Sequence, residues 1–347
     1  MTRLTSALRY ITRLSAASIM LSAATAPAIA QGEVNIYSYR EPSLIEPLLK
    51  AFTAKTGIKT NIVFASAGLN ERMAAEGALS PADILFTVDA GRLSEAKAAG
   101  LTQPAKSPIL DAVPPSFRDP EGHWYGLTMR ARVVYASRAR VKQDAITYDE
   151  LADPKWKGKI CSRSGQHVYN TSLVATLIAH KGEAAAEAWL HGVKANLARK
   201  PAGGDREQVR DVHAGICDLA IGNTYYMAAM LKNPDQKAWA DSVRILFPDS
   251  NGRGSHVNIS GMALAKYAKN TDNAIKLMDF LASDEGQAIY ASVNNEYPIS
   301  AKVPASDVVK SWGTLKPDTL PLENIAKYRK RASELVDKVN FDAGPGN

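Results

Sequence analysis

From residue 33 onward, short apolar runs alternate with stretches whose apolar residues recur every three or four positions. EVNIYSY (33–39) predicts a strand, SLIEPLLKAFTAKTG (43–57) an amphipathic helix closed by Gly57, and KTNIVFAS (59–66) a second strand. NERMAAEGALS then predicts a helix, ADILFTVD (82–89) a buried strand and AGRLSEAKAAG another helix. Such alternation implies a mainly parallel sheet covered by helices on both faces. The pattern restarts at KGKICSRS (157–164), with helices near 168–181 and 183–198, the strand CDLAIGN (217–223) and a helix from Tyr225. No repeat, low-complexity tract or Gly/Ser-rich linker separates the two series, so the expected architecture is two α/β lobes joined by ordered strands.

The first 30 residues break this pattern. Arg3, Arg9 and Arg13 precede an apolar run from Leu14 to Ala24, and Ala28-Ile29-Ala30 offers a small-residue cleavage site before Gln31. This predicts a cleaved secretory signal over 1–30 and export to the periplasm. No later segment reaches the length of uncharged chain that a membrane helix needs, so no membrane insertion is expected. Losing the three arginines lowers the formal charge from +7 to +4. That mild balance, without a basic cluster interleaved with aromatics, argues against nucleic acid as a partner. In an oxidising compartment Cys161 and Cys217 either pair or stay as two buried thiols, and their spacing suggests no metal site.

Ligands of open α/β sheets bind beyond the carboxyl ends of the strands, which directs attention to AIGNTYYMAAML (220–231). The strand ends near Gly222, Thr224 can cap the next helix, and Tyr225 and Tyr226 occupy its first turn. Neighbours there diverge by only about 100°, so both phenols can converge on one point off the helix end. The helix dipole favours phenolate by roughly 0.3 to 1 kcal/mol, too little to ionise a tyrosine of pKa about 10. A multivalent cation can do so, and a hard ion such as Fe(III) suits anionic oxygen. The alternative is an amphipathic rim around an organic ligand or packing between lobes.

Further segments sharpen the choice. FTAKTGIK, SPADILFTVD, RARVVY, LADPKWKGKI, YNTSLVATLIA, AIGNTYYM, GRGSHVNISG and NEYPIS, in this order and spacing, resemble the periplasmic ferric-ion-binding proteins, the substrate-binding subunits of bacterial iron ABC transporters. The likeness looks strongest to the tyrosine-rich branch of that family. It implies a type II periplasmic binding protein fold, with lobe 1 from 31–130 and 257–303 and lobe 2 from 131–256 and 304–347. It implies a monomer that binds ferric ion and delivers it to an inner-membrane ABC permease. Carried over residue by residue, Tyr169 of HVYNTS, Tyr225 and Tyr226 match the metal ligands, and three phenolates neutralise Fe(III). Arg130 of MRARVVY matches an arginine near the iron, placed to hold a synergistic anion such as carbonate. Ser164 and Gly165, with Ser162, are candidate anion donors. Arg132 shares the strand face of Arg130, and a surface ion pair is the plainer reading of either.

The first lobe departs from the family. Where a His or His-Tyr commonly follows the first strand, YSYREPSL has Glu41 and Pro42. Pro42 cannot ligate; Glu41 is either a carboxylate ligand or an acid favoured by the dipole of the next helix. The position of a carboxylate ligand in other members aligns with Val88, one before Asp89. Tyr37 is expected in the core, with Tyr39 as a reserve ligand.

An enzyme is disfavoured. There is no G-x-S-x-G or H-E-x-x-H, and Ser255 and His256 are strand neighbours whose side chains point apart. The closer rival is a binding protein for an organic anion or polyamine in which tyrosines stack.

Overall fold

The structure, a computed structural model, describes residues 32–346, so the expected signal segment lies outside the described residues. The first half runs β1 (Glu33–Ser38), α1 (Pro42–Thr56), β2 (Lys59–Phe64), α2 (Leu69–Glu76), β3 (Ile84–Thr87), α3 (Ala90–Ala98), β4 (Thr102–Gln103), α4 (Pro108–Asp111) and β5 (Tyr125–Ser137). There follow β6 (Ile160–Cys161), α5 (Val168–Lys181), α6 (Glu183–Ala195), α7 (Asp205–His213), β7 (Leu219–Asn223), α8 (Tyr225–Lys232), α9 (Pro234–Asp241) and β8 (Val243–Leu246). The chain closes with β9 (Val257–Ala265), α10 (Thr271–Ala282), α11 (Asp284–Asn294), β10 (Tyr297–Pro298), α12 (Asp307–Lys310), α13 (Leu322–Ala326) and α14 (Arg329–Lys338). None of the described helices is long and apolar enough to cross a membrane.

Local chemistry explains several of these boundaries. Helix α1 starts with Pro42 in its first turn, buries Ile45, Leu48, Leu49 and Phe52 on one stripe, and ends at Gly57. Gly57 has φ 73° and donates its N–H to Thr53, a left-handed cap that a Cβ would disfavour. Strand β6 is far shorter than the expected 157–164. Before it the Lys159 N–H bonds the Asn196 carbonyl, and after it Ser164 accepts the His167 N–H in a turn.

The strands connect in the order β2-β1-β3-β9-β5-β7-β6. β1 is parallel to both β2 and β3, and β6 is parallel to β7, as helical crossovers require. The crossing strands add antiparallel pairs, so the sheet is mixed. β5 is the hinge of the ladder: residues 125–131 pair with β9, while residues 132–136 pair with β7 and 134–137 with β8. The ladder is thus continuous through β5, but only β5 belongs to both sheets. The returning segment is tied to it where Arg132 donates its N–H to the His256 carbonyl at 2.9 Å.

Two features hold the β6–β8 part of the chain around this strand. Cys161 and Cys217 form a disulfide, Cα atoms 5.8 Å apart, which decides between the pair and the buried thiols. Thr224 does not cap α8 with its side chain as expected. Its hydroxyl instead accepts the Ala131 N–H at 3.3 Å and its own N–H donates to the Ala131 carbonyl at 3.1 Å. The helix bearing the tyrosine pair is thereby docked on the crossing strand. Thr224 is fully buried, so Thr224→Val should leave the Ala131 N–H without this acceptor and lower unfolding free energy by about 1 to 3 kcal/mol. Urea denaturation checks this, and an unchanged midpoint would count against the docking role.

Candidate functional site

Because β6 and β7 are parallel neighbours, their following helices open at the same end of the sheet. Tyr169 lies in the first turn of α5 and Tyr225 opens α8, and their hydroxyl oxygens are 3.1 Å apart. The Tyr226 ring lies 4.2 Å from that of Tyr225, centroid to centroid, at 33°. Tyr169 and Tyr225 are each only 8% exposed. Gly222 allows this approach: a Cβ there would lie 2.5 Å from Tyr135, whose hydroxyl donates to the Asn223 carbonyl. Burial, then Tyr169 and Tyr226, push the Tyr225 phenol well above its ordinary pKa. Burial, then Tyr169 and Asp205, also push Tyr226 upward. At neutral pH both keep their protons unless a cation replaces them.

Arginines surround the phenols. The guanidinium carbons of Arg130, Arg132 and Arg163 lie 5.7, 5.7 and 5.4 Å from the Tyr169 ring centroid. Arg40 lies 5.7 Å from the Tyr225 ring and Arg206 5.2 Å from that of Tyr226. Two buried carboxylates fix these cations. Asp205 accepts from Arg132 at 2.6 Å, Arg163 at 3.1 Å and the Asn223 N–H at 2.8 Å. Glu296 pairs with Arg40. Arg130 is 1% exposed, and the one hydrogen bond of its side chain among the described residues is to Ser260 at 3.3 Å, leaving Nε and Nη2 without partners. Ser260 also accepts from Arg40 at 2.9 Å. Five guanidiniums (Arg40, Arg130, Arg132, Arg163, Arg206) against two carboxylates (Glu296, Asp205) leave an excess of three positive charges beside the phenols.

The other candidates lie differently. Glu41 is exposed before α1, and its carboxylate makes no hydrogen bond or ion pair with the described residues. Ser164 and the Gly165 N–H are anion donors, but the anion they hold is the carboxylate of Asp342, at 2.5 and 2.6 Å. Ser162 donates to the Arg163 carbonyl. The Tyr39 hydroxyl donates to Asn70 at 3.2 Å and accepts from its N–H at 2.9 Å. Asp89 caps α3 and accepts from Asn258. Arg132 is buried in its ion pair rather than on the surface. Among the described residues no group of three His, Cys, Asp or Glu could hold a metal ion.

His167 accepts the Tyr169 N–H at 3.3 Å and sets its ring edge against Tyr169. Burial, then Arg163, lower its pKa to about 3, so it stays neutral. Sequence reasoning passed over Arg40, Arg163 and Asp205. Arg40 and Arg163 follow the ends of β1 and β6, where the rule that singled out Tyr225 applies equally; Asp205 carries no such signal. Burial pushes the Asp205 carboxyl up, but Arg132 and then Arg163 outweigh it and hold its pKa below the usual value. Its contribution to stability is therefore full above about pH 4, the unfolded value, and is lost as pH falls through the lower folded value. Asp205→Asn should cost about 3 to 5 kcal/mol at pH 7, with the gap to wild type narrowing below about pH 4. Urea unfolding at pH 7 and pH 3 checks this; a gap that widens in acid would contradict it.

Comparison with known proteins places this site in context. A model of the bacterial extracellular solute-binding protein family matches residues 80–317. Iron uptake protein A1 of Synechocystis is 43% identical over 316 residues, covering 90% of this chain and 88% of that protein. The apo ferric ion-binding protein A of Pasteurella haemolytica superposes with a TM-score of 0.86 at 50% identity, covering 89% of this chain and 98% of its own. A Trichodesmium protein solved in complex with iron and citrate ligands superposes at 0.85 and 42% identity, covering 89% and 100%.

Proposed function

The chain belongs to the bacterial extracellular solute-binding family, among the periplasmic ferric-ion-binding proteins, and from that premise we propose that it captures Fe(III) on Tyr169, Tyr225 and Tyr226. The observation that carries this reading is the meeting of the three phenol rings at the joint end of β6 and β7. With no His, Cys or carboxylate cluster among the described residues, phenolate is the anionic donor at hand. Fe(III) favours hard anionic oxygen, and three phenolates make a neutral set with it. Each ligand gives up its proton on binding, so affinity rises with pH.

The three excess positive charges call for an anion beside the metal. Arg130, with two free donors, and Arg40, facing Tyr225, hold it; carbonate fits the charge and the bidentate geometry. The protein then acts in the periplasm as a monomer that hands iron to an inner-membrane ABC permease, with no catalytic step. Residues 1–30 serve as the export signal. Lobe 1 comprises 31–130 and 257–303 and lobe 2 comprises 131–256 and 304–347, with the crossing in β5. All three tyrosines then come from lobe 2, so iron binds the open protein first and closure brings Arg40 and its anion.

The surviving rival is an organic anion stacked on the tyrosines; a polyamine is opposed by the surrounding guanidiniums. Colour separates the two, because Fe(III)-phenolate absorbs visible light. Ferric loading followed by citrate competition should show a visible band that shifts in Tyr226→Phe. Affinity in that variant and in Tyr225→Phe should fall by more than the roughly 10–100-fold that loss of an outer partner costs. Glu41→Ala, at an exposed residue, should cost less than either. A Tyr226→Phe protein with unchanged colour and affinity would overturn the ligand assignment, and a Glu41→Ala protein damaged more than Tyr225→Phe would make lobe 1 a primary donor.

A further inference from the structure

The half-cystines and two of the tyrosines keep the same spacing. Cys161 is eight residues before Tyr169 and Cys217 eight before Tyr225, so the disulfide and the phenol contact both join positions 56 apart. Between them, the ladder joining β6 to β7 is only two pairs long, Ile160 with Leu219 and Cys161 with Ala220. So short a ladder resists sliding poorly.

Beyond Cys161 the turn and the start of α5 form one unit. The Asn170 amide donates to Ser162 Oγ and to the carbonyls of Arg163 and Ser164, at 3.2, 3.1 and 3.0 Å. Tyr169 rides on that unit. Tyr225 rides on another, because β7 is paired with β5 over five residues and Thr224 is bonded to Ala131. Besides the link through Asp205, which accepts from Arg163 and from the Asn223 N–H, two braces cross between the units near their ends. At the cleft, Arg132 donates to Asn170 at 2.7 Å and Asn223 at 3.1 Å. At the base stands the disulfide, with both cysteines at most 2% exposed.

Resting on the ferric reading above, we propose that Cys161 and Cys217 are positioning residues for iron capture. Their bond sets the register of β6 against β7 and so the separation of the Tyr169 and Tyr225 oxygens that share the metal. Metal sites need their donors held within about half an ångström, which a two-pair ladder does not secure by itself. The Arg132 and Asp205 links remain when the disulfide is removed, so the effect is a loss of affinity rather than of binding.

The test compares the wild type with Cys161→Ala/Cys217→Ala and with Val243→Ala. Val243 is a fully buried residue of β8 paired with Ser137, at the end of β5 away from the tyrosines. Ferric affinity by citrate competition, the visible band and the thermal midpoint are read for each. The cysteine variant should bind iron about tenfold more weakly with a shifted band, the size of effect that supporting residues of metal sites have. Val243→Ala should lose thermal stability while keeping the wild-type affinity and band. Equal affinity and band in the cysteine variant, or an equal loss in Val243→Ala, would overturn the proposal. If the alanine pair does not fold, Cys161→Ala/Cys217→Val restores apolar volume and is measured instead. Failure of both to fold would make the bond a folding requirement and also overturn the proposal. A wild type that shows no visible band on ferric loading would instead overturn the ferric reading itself.

Discussion

A buried phenol does not ionise by itself, and the rest of the site follows from that constraint. Tyr225 and Tyr226 hold their protons more tightly than free tyrosine because they are buried against each other and Tyr169. On the ferric reading proposed above, only a strongly charged cation displaces those protons at neutral pH, and the cluster would discriminate by charge before size. The arginines work alongside this constraint. Arg40 opposes the upward push on Tyr225, and Arg163 opposes it on Tyr226, without removing it. The carboxylates Asp205 and Glu296 keep these cations in place while leaving a net positive field around the phenols.

The fold brings the groups together by sharing one strand. β5 runs through both sheets, so Arg130 and Arg132 stand at the crossing itself, and Ala131 between them is bonded to the residue before the tyrosine pair. A buried chain also reaches the phenols, in which Glu296 accepts from Thr128 and pairs with Arg40, which faces Tyr225. Arg329, opening α14, reaches back to Asp89 at 3.1 Å and Glu95 at 3.0 Å.

Much of this was legible in the chain. The period of apolar positions gave α1, α3 and α6 to within a few residues because each buries one stripe, and α5, also matched, is buried on every side from Tyr169 to Ile178. It overestimated β6, whose flanking residues bond to Asn196 and to a turn, a tertiary choice that propensity does not encode. The Tyr225-Tyr226 pair was visible because a strand-to-helix junction is a ligand position in any α/β sheet. The roles of Thr224, Ser164 and Gly165 were not legible. Their bonding partners, Ala131 and Asp342, are distant in sequence, and local capping rules name only near neighbours. Asp205 was invisible for the same reason: an acid at a helix start looks like any other until two arginines and a backbone amide converge on it.

The central claim is that iron is held by phenolates formed on binding, and counting protons tests it most directly. Adding Fe(III) as a complex of known composition to the apoprotein near neutral pH, in buffers of different ionisation enthalpy, gives the number of protons released per ion after correction for the chelator. The account predicts release corresponding to three phenols, with one more from bicarbonate where carbonate binds, and the total falling by one in Tyr225→Phe. Binding with no protein-derived proton release, or with release unchanged by that substitution, would contradict it.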